Sequence, residues 1–255
     1  MAVVRGSGMV LPRSGGESPG EKADGSGTMF DRISGRYDLL NRVLSLGLDR
    51  RWRRRLVSAV ELRPGARVLD LATGTGDVAF ALATRHPETE VVGLDPSRGM
   101  LERARAKARP AQAESCRWSE GVAEDLPFAE GSFDAVTMAF GIRNVPARER
   151  ALREITRVLR PGGRVAILEL AEPRAGWLAP LSRFWVRRVV PRIGALLASS
   201  AEYRYLQRSM AAFPEPPEFA RMLVTAGLEV LDVSALGLGA CTLFVARRPA
   251  EEETR

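Results

Sequence analysis

The chain has 255 residues, a net charge of +7, 45% hydrophobic residues, two cysteines and a single histidine. That length supports one good-sized domain with its own core. Cys116 and Cys241 show no metal-ligand spacing and set up no disulfide framework, which points to a reducing setting. One histidine excludes a multi-histidine metal site and argues against a Ser-His-Asp triad; His86 itself precedes Pro87 and reads as a solvated loop residue. The basic balance invites a nucleic-acid or membrane reading. Yet among 38 basic residues only Lys22 and Lys107 are lysines, a skew that biased codon usage explains, so the charge alone assigns no partner.

Residues 1–27 are rich in Gly, Ser and Pro and read as a disordered leader; 28–248 are the expected folded domain and 249–255 a tail. No run reaches membrane-spanning length, and the N-terminus has no apolar stretch like a signal peptide. The expectation is a cytoplasmic protein that touches the inner face of the cell membrane at most.

From Phe30 to about Leu62 the pattern is helical, with Leu39, Leu40, Val43 and Leu44 on one face and Trp52, Leu56 and Ala59 on a later stretch. The run Arg50–Arg55 within it reads as a solvated helix face, with contact to acidic lipid headgroups as the alternative. After Pro64-Gly65, strands are predicted at 67–71, 90–94, 116–121, 133–139, 164–170, 229–235 and 242–247. Helices fill the gaps. The clearest covers 147–159, with Leu152, Ile155, Val158 and Leu159 on one side, and is stopped by Pro161-Gly162-Gly163. Alternating strands and helices predict an α/β fold: a doubly wound, seven-stranded, mostly parallel sheet of Rossmann-like type, covered on both faces. Residues 172–216, after the fifth strand, are too long for a simple crossover and carry Trp177, Phe184, Trp185, Tyr203, Tyr205 and Phe213. They read either as a lid or substrate wall, or as extra helices on the sheet edge.

The chemistry concentrates at the first two strands. Val68 to Asp77 reads Val-Leu-Asp-Leu-Ala-Thr-Gly-Thr-Gly-Asp, and Val91-Val-Gly-Leu94 ends in Asp95. Gly74 and Gly76 permit a sharp turn and close approach of a ligand. An acid about twenty residues on, here Asp95, accepts both ribose hydroxyls. No Gly-Lys-Ser/Thr follows, which excludes a P-loop. Asp70 lies inside the strand, where it repels a pyrophosphate but suits a cofactor with a cationic amino-acid moiety. S-adenosylmethionine (SAM) has an ammonium, a ribose and no phosphate, and is favoured over NAD. Asp70, Asp95, 123–128 and 139–146 all fall at or near the carboxyl ends of strands, where ligands sit in such sheets.

These residues sit in a wider pattern. Met29-Phe30-Asp31, Arg36-Tyr37-Asp38 through Asn41, Ser45-Leu-Gly47 with Arg51-Trp52-Arg53, Asp70 through Asp77, Ala123 through Phe128, Phe140-Gly-Ile-Arg-Asn-Val145 and Leu159-Arg-Pro-Gly-Gly163 with Glu169 all take part. Together with Pro191 through Gly194 and Tyr203 through Leu206, the chain resembles the ubiquinone/menaquinone biosynthesis C-methyltransferases from Met29 to about residue 235. The resemblance implies SAM-dependent methylation of a ring carbon of a polyprenylated quinol. Demethylmenaquinol is the first choice; a ubiquinol precursor or another small aromatic is the alternative. It further implies that Asp70, Gly74, Thr75, Gly76, Asp95, Val122, Ala123 and Ala139 surround the cofactor. Thr75 faces the methionine end, and the loop from Ala123 brackets adenine. Val122 stands where a polar residue is frequent, Ala139 where a serine is common, and Gly237 through Phe244 departs from the family pattern.

A quinol carbon becomes nucleophilic once a neighbouring hydroxyl loses its proton, and a free phenol has a pKa of about 10. A cation or a held water is needed. Arg143 and Asn144, just past the fourth strand, are the expected catalytic residues; the resemblance implies that they orient a water as base. The alternative is a helix-capping turn at Asn144-Val145-Pro146 with Arg143 at the surface. Expected partners are a lipophilic quinol, a peripherally touched membrane and a second copy of the chain as a homodimer, with no nucleic acid. Neither an Asn-Pro-Pro-Tyr run nor a Tyr-x-x-x-Lys pair is present, which speaks against base-amine methylation and short-chain oxidoreduction.

Overall fold

The computed structural model describes residues 45, 47–171 and 200–250. Seven strands form one sheet: β1 Arg67–Leu71, β2 Glu90–Asp95, β3 Cys116–Glu120, β4 Phe133–Ala139, β5 Leu159–Leu170, β6 Glu229–Leu236 and β7 Cys241–Arg247. Their order is β3-β2-β1-β4-β5-β7-β6. All pairs among the first five are parallel, whereas β7 runs antiparallel to both β5 and β6. Seven helices accompany them among the described residues. They are α1 Asp49–Ala59, α2 Asp77–Arg85, α3 Arg98–Lys107, α4 Pro110–Ser115, α5 Arg148–Val158, α6 Ser200–Ala211 and α7 Pro216–Thr225.

Strand periodicity divides the core into two layers. Leu69, Val92, Val136, Val165 and Ile167 point to one face and pack against α5 and α7. Val68, Val91, Ala135, Ala166 and Leu168 point to the other, against α1 and α2. Each neighbour in the chain therefore lies in the opposite layer, as side chains alternating across a pleat must. A sheet buried on both faces explains why these strands read as nearly continuous apolar runs.

The expected strands are present, with small shifts at their ends. The largest concerns β5, which begins at Leu159 rather than at 164 and so takes in Pro161-Gly162-Gly163. Phe133 pairs with Leu159 and Ala135 with Arg164, so the intervening residues form a bulge in the ladder. The insertion expected at 172–216 is described only from 200 onward, as α6 and the residues leading into α7; Trp177, Phe184 and Trp185 lie outside the described residues.

Trp118 of β3 anchors the rim of the sheet beside the glycine turn. Its ring lies edge-on to Phe80 at 5.6 Å between centroids. A Cβ on Gly93 would stand 2.6 Å from that indole, and one on Gly76 2.8 Å from it. Gly93→Ala must therefore displace Trp118 from the turn. An overpacked site of this kind costs about 1–3 kcal/mol. Thermal unfolding followed by circular dichroism should show Tm lowered by about 2–10 °C.

Candidate active site

A cleft opens beyond the carboxyl ends of β1, β2 and β4, where crevices in such sheets lie. Its walls come from Gly74 after β1, Asp95 and Met100 around the end of β2, Val122 through Glu124 after β3, and Phe140, Gly141 and Asn144 after β4. Of the residues that sequence assigned to the site, Gly74, Asp95, Val122, Ala123 and Asn144 line it. Asp70, Thr75, Gly76, Ala139 and Arg143 stand behind its walls.

Asp95 is the best-defined of these. Parallel register sets Leu71 beside Leu94, so Asp95 reaches past the end of β1. Its Oδ2 accepts a hydrogen bond from the Gly74 N–H at 2.8 Å, and its Oδ1 one from the Ser97 N–H at 2.9 Å. Two fixed donors orient a carboxylate that is only 7% exposed yet lines the cleft. The two oxygens of one carboxylate match the two hydroxyls of a vicinal diol.

Asp70 is more deeply placed. Its carboxylate accepts from the Thr73 hydroxyl at 2.5 Å and from the Thr137 hydroxyl at 2.7 Å, under the glycine turn. Burial pushes its pKa up to about 6, against the two hydroxyl bonds and the Arg53 charge, which pull it down; the Asp95 charge adds to the rise. Asp70 therefore lies behind the cleft wall rather than in it. Gly76, left-handed at φ 85°, begins α2, and the space beside its Cα is taken by Trp118 and Phe80. Thr75 accepts a hydrogen bond from the Lys107 ammonium at 3.2 Å.

The segment after β4 is held by a buried ion pair. Arg143 is 8% exposed and Glu169 is fully buried. Arg143 Nη1 donates to Glu169 Oε1 at 2.6 Å and to the Phe140 carbonyl at 2.7 Å, while the Arg143 N–H donates to Glu169 Oε2 at 3.2 Å. Arg148 donates to the Ile142 and Arg143 carbonyls at 3.3 and 2.9 Å. Residues 142–144 form a 3-10 turn, so Arg143 turns inward to Glu169 while Asn144 lines the cleft. The surface-arginine alternative does not hold. Asn144 Oδ1 accepts from the Tyr205 hydroxyl of α6 at 3.3 Å. Tyr205 is half-buried, and burial raises its pKa against the pull of Arg143 and Arg148, so the phenol remains a donor.

Sequence reasoning placed the segments that hold Ala72 and Phe140 at the site but did not single out these two residues. Both line the cleft and both have positive φ, 49° and 59°, although neither is glycine. Strained backbone of this kind gathers at ligand sites, but alanine and phenylalanine give no sign of it in a sequence. Tyr37 lies outside the described residues.

The residues fit SAM: a fixed carboxylate for the ribose, a backbone N–H turn carrying no P-loop lysine, and a buried carboxyl whose charge answers a cation. The comparisons agree. The model of the ubiE/COQ5 methyltransferase family matches residues 20–248. The chain is 47% identical over 216 residues to the ubiquinone/menaquinone biosynthesis C-methyltransferase UbiE of Syntrophotalea carbinolica, covering 85% of this chain and 91% of the relative. It is 46% identical over 222 residues to the demethylmenaquinone methyltransferase of Thermus thermophilus, covering 87% and 100%. Among solved structures, a SAM-dependent methyltransferase of Thermotoga maritima superposes with a TM-score of 0.59 at 21% identity, covering 87% of this chain and 99% of that one, a likeness of fold.

A cation bound near Asp70 stabilises its ionised form, so binding below about pH 6 must expel a proton. SAM affinity should then rise, by up to about tenfold per pH unit, as pH climbs toward 6, and level off above it. Calorimetry in buffers of different ionisation enthalpy should detect proton release at pH 5.5 but not at pH 8. Asp70→Asn should abolish the slope.

Proposed function

Because this chain belongs to the ubiE/COQ5 methyltransferase family, we propose that it methylates a ring carbon of a polyprenylated quinol, demethylmenaquinol first. The supporting observation is that the ribose-type carboxylate Asp95 and the amide of Asn144 face one cleft, with Arg143 directly behind the asparagine. The naming of relatives as demethylmenaquinone methyltransferase favours menaquinol formation. A ubiquinol precursor is the second reading, favoured by relatives named for both quinones.

SAM supplies an electrophilic methyl group when bound; the protein must align the substrate carbon with it and ionise a ring hydroxyl. Tyr205 donates to Asn144 Oδ1, which orients the amide and leaves its NH2 as the donor toward the cleft. A water held by that donor accepts the quinol hydroxyl's proton and passes it to solvent, while the N–H stabilises the phenolate. The ring carbon takes the methyl group as the sulfonium bond breaks, and it regains aromaticity by losing its own proton to solvent. Arg143 and Arg148 put two positive charges beside this point, and a buried cation lowers the cost of a phenolate. Arg143 also holds the Phe140 carbonyl, so its role is positioning as well as electrostatic. Asn144 is the group in contact.

A lipophilic substrate calls for access from a membrane. Among the described residues no helix is long and apolar enough to cross one. Helix α1 instead buries Trp52, Leu56 and Val57 and exposes Arg50, Arg51, Arg54 and Arg55, a face suited to acidic headgroups. Sedimentation with anionic vesicles at low salt checks this contact: failure to pellet the full chain would remove it.

Incubation with labelled SAM and a panel of demethylated quinols tests the reaction. Label should enter demethylmenaquinol; transfer to the ubiquinol precursor alone would favour the second reading, and transfer to neither would overturn both. Asn144→Ala should lower kcat by about 100-fold and Tyr205→Phe by about tenfold, each with SAM affinity retained. Equal losses of kcat and of SAM affinity would place these residues in the cofactor site instead.

A further inference from the structure

On the layer of α1 and α2, away from the cleft, lies a hollow of about 460 Å3. Arg54 of α1, Arg85 of α2, Lys107 of α3 and Arg109 at the start of α4 surround it, and Val57 and Phe80 form an apolar floor. None of its lining residues is acidic. Cations at helix C-termini are favourable in themselves, and that accounts for Arg85 and Lys107, each in the last turn of its helix. Arg109 stands just past the end of α3, at the N-cap of the six-residue α4. No helix end accounts for Arg54, which lies mid-helix on α1. Lys107 already pairs with Asp77; the three arginines face the hollow with no acid among its lining residues, and their charges repel one another unless an anion joins them. Gln112 donates to the Thr84 hydroxyl at 3.1 Å, and both side chains also line the hollow.

The geometry points to a second binding site here, for a phosphate ester. Three guanidinium forks and an ammonium exceed what one carboxylate balances, and arginine forks match phosphate oxygens in pairs. The apolar floor favours an ester whose organic part is itself partly apolar. A lipid headgroup and a soluble phosphate ester share this chemistry.

The hollow is wired to the cofactor turn. The Lys107 ammonium donates to Thr75 Oγ1 at 3.2 Å and pairs with the Asp77 carboxylate. Thr75 lies in the glycine turn and Asp77 opens α2; Asp77 also meets Arg53 Nη1 at 3.2 Å. An anion in the hollow competes with Asp77 for the Lys107 charge and so lowers the positive field at the turn. SAM carries a net positive charge, so the anion tightens it, and SAM tightens the anion by the same factor. Only this coupling rests on the proposed cofactor; the anion site stands without it.

Calorimetry on the full chain tests both parts, with inorganic pyrophosphate and with phosphatidylcholine vesicles with or without phosphatidic acid, at constant ionic strength. Pyrophosphate, or the phosphatidic acid vesicles, should bind, and SAM affinity should rise about fivefold in its presence. Arg85→Ala combined with Arg109→Ala should abolish anion binding and bring that ratio to one, while Arg109→Lys should restore part of it. A response to vesicles alone identifies the lipid headgroup, and one to pyrophosphate identifies the soluble ester. Pyrophosphate that weakens SAM would place the anion in the cleft and overturn the second site. So would a signal from both anions that survives in the double variant, or no signal from either. Pyrophosphate heat lost in the double variant, with no SAM heat under any condition, would keep the site and remove the cofactor reading.

Discussion

One carboxylate fastens the tips of the first two strands. Asp95 ends β2, holds the Gly74 N–H with one oxygen and the Ser97 N–H with the other, and accepts through its own carbonyl from the Gly121 N–H at 3.2 Å. The turn after β1, the start of α3 and the loop after β3 are thereby fixed relative to one side chain. A buried carboxylate is tolerated because each oxygen takes a charge-assisted bond from a fixed N–H. Removing it would leave two N–H groups unpaired at the mouth of the cleft. The anchor of the glycine turn and the expected ribose contact are therefore the same group, and the site is set before any ligand arrives.

A second buried carboxylate does the corresponding work on the far wall. Glu169 holds Arg143, and Arg143 holds the carbonyl of Phe140, whose left-handed backbone no aromatic residue adopts readily. Breaking such a buried pair by removing one partner costs about 3–5 kcal/mol, because the other charge is left without compensation. The 3-10 turn that displays Asn144 depends on this pair. Its other neighbour is Tyr205 of α6, which follows the long connection after β5. Through that hydroxyl, α6 is tied to the asparagine proposed to meet the substrate.

Charge is sorted by depth. Asp70 and Asp95 lie buried at the cleft end of the sheet, while Arg50, Arg51, Arg54 and Arg55 of α1 and the arginines of the hollow are exposed. Arg53 alone of the α1 arginines is buried, with its charge acting on Asp70. Lys107 stands at the border and touches both regions. A single short side-chain network thus joins an outward basic surface to the glycine turn.

Sequence alone was sufficient for the parallel core, for the glycine turn and for Asp95, because each is a local signal: β-strand runs, a glycine pair, an acid at a strand end. It also identified the run holding Arg143 and Asn144. Tertiary structure decided which of the two faces the cleft, since a 3-10 turn and Glu169, 26 positions away, set their directions. It also decided that Gly76 makes room for Trp118, that Ala72 and Phe140 are strained, and that Lys107 reaches back to Thr75. The same holds for the start of β5, where Leu159 pairs with Phe133 despite the Pro-Gly-Gly that follows. Each of these depends on a partner distant in the chain. Local propensity carries no information about such partners, and only packing brings them together.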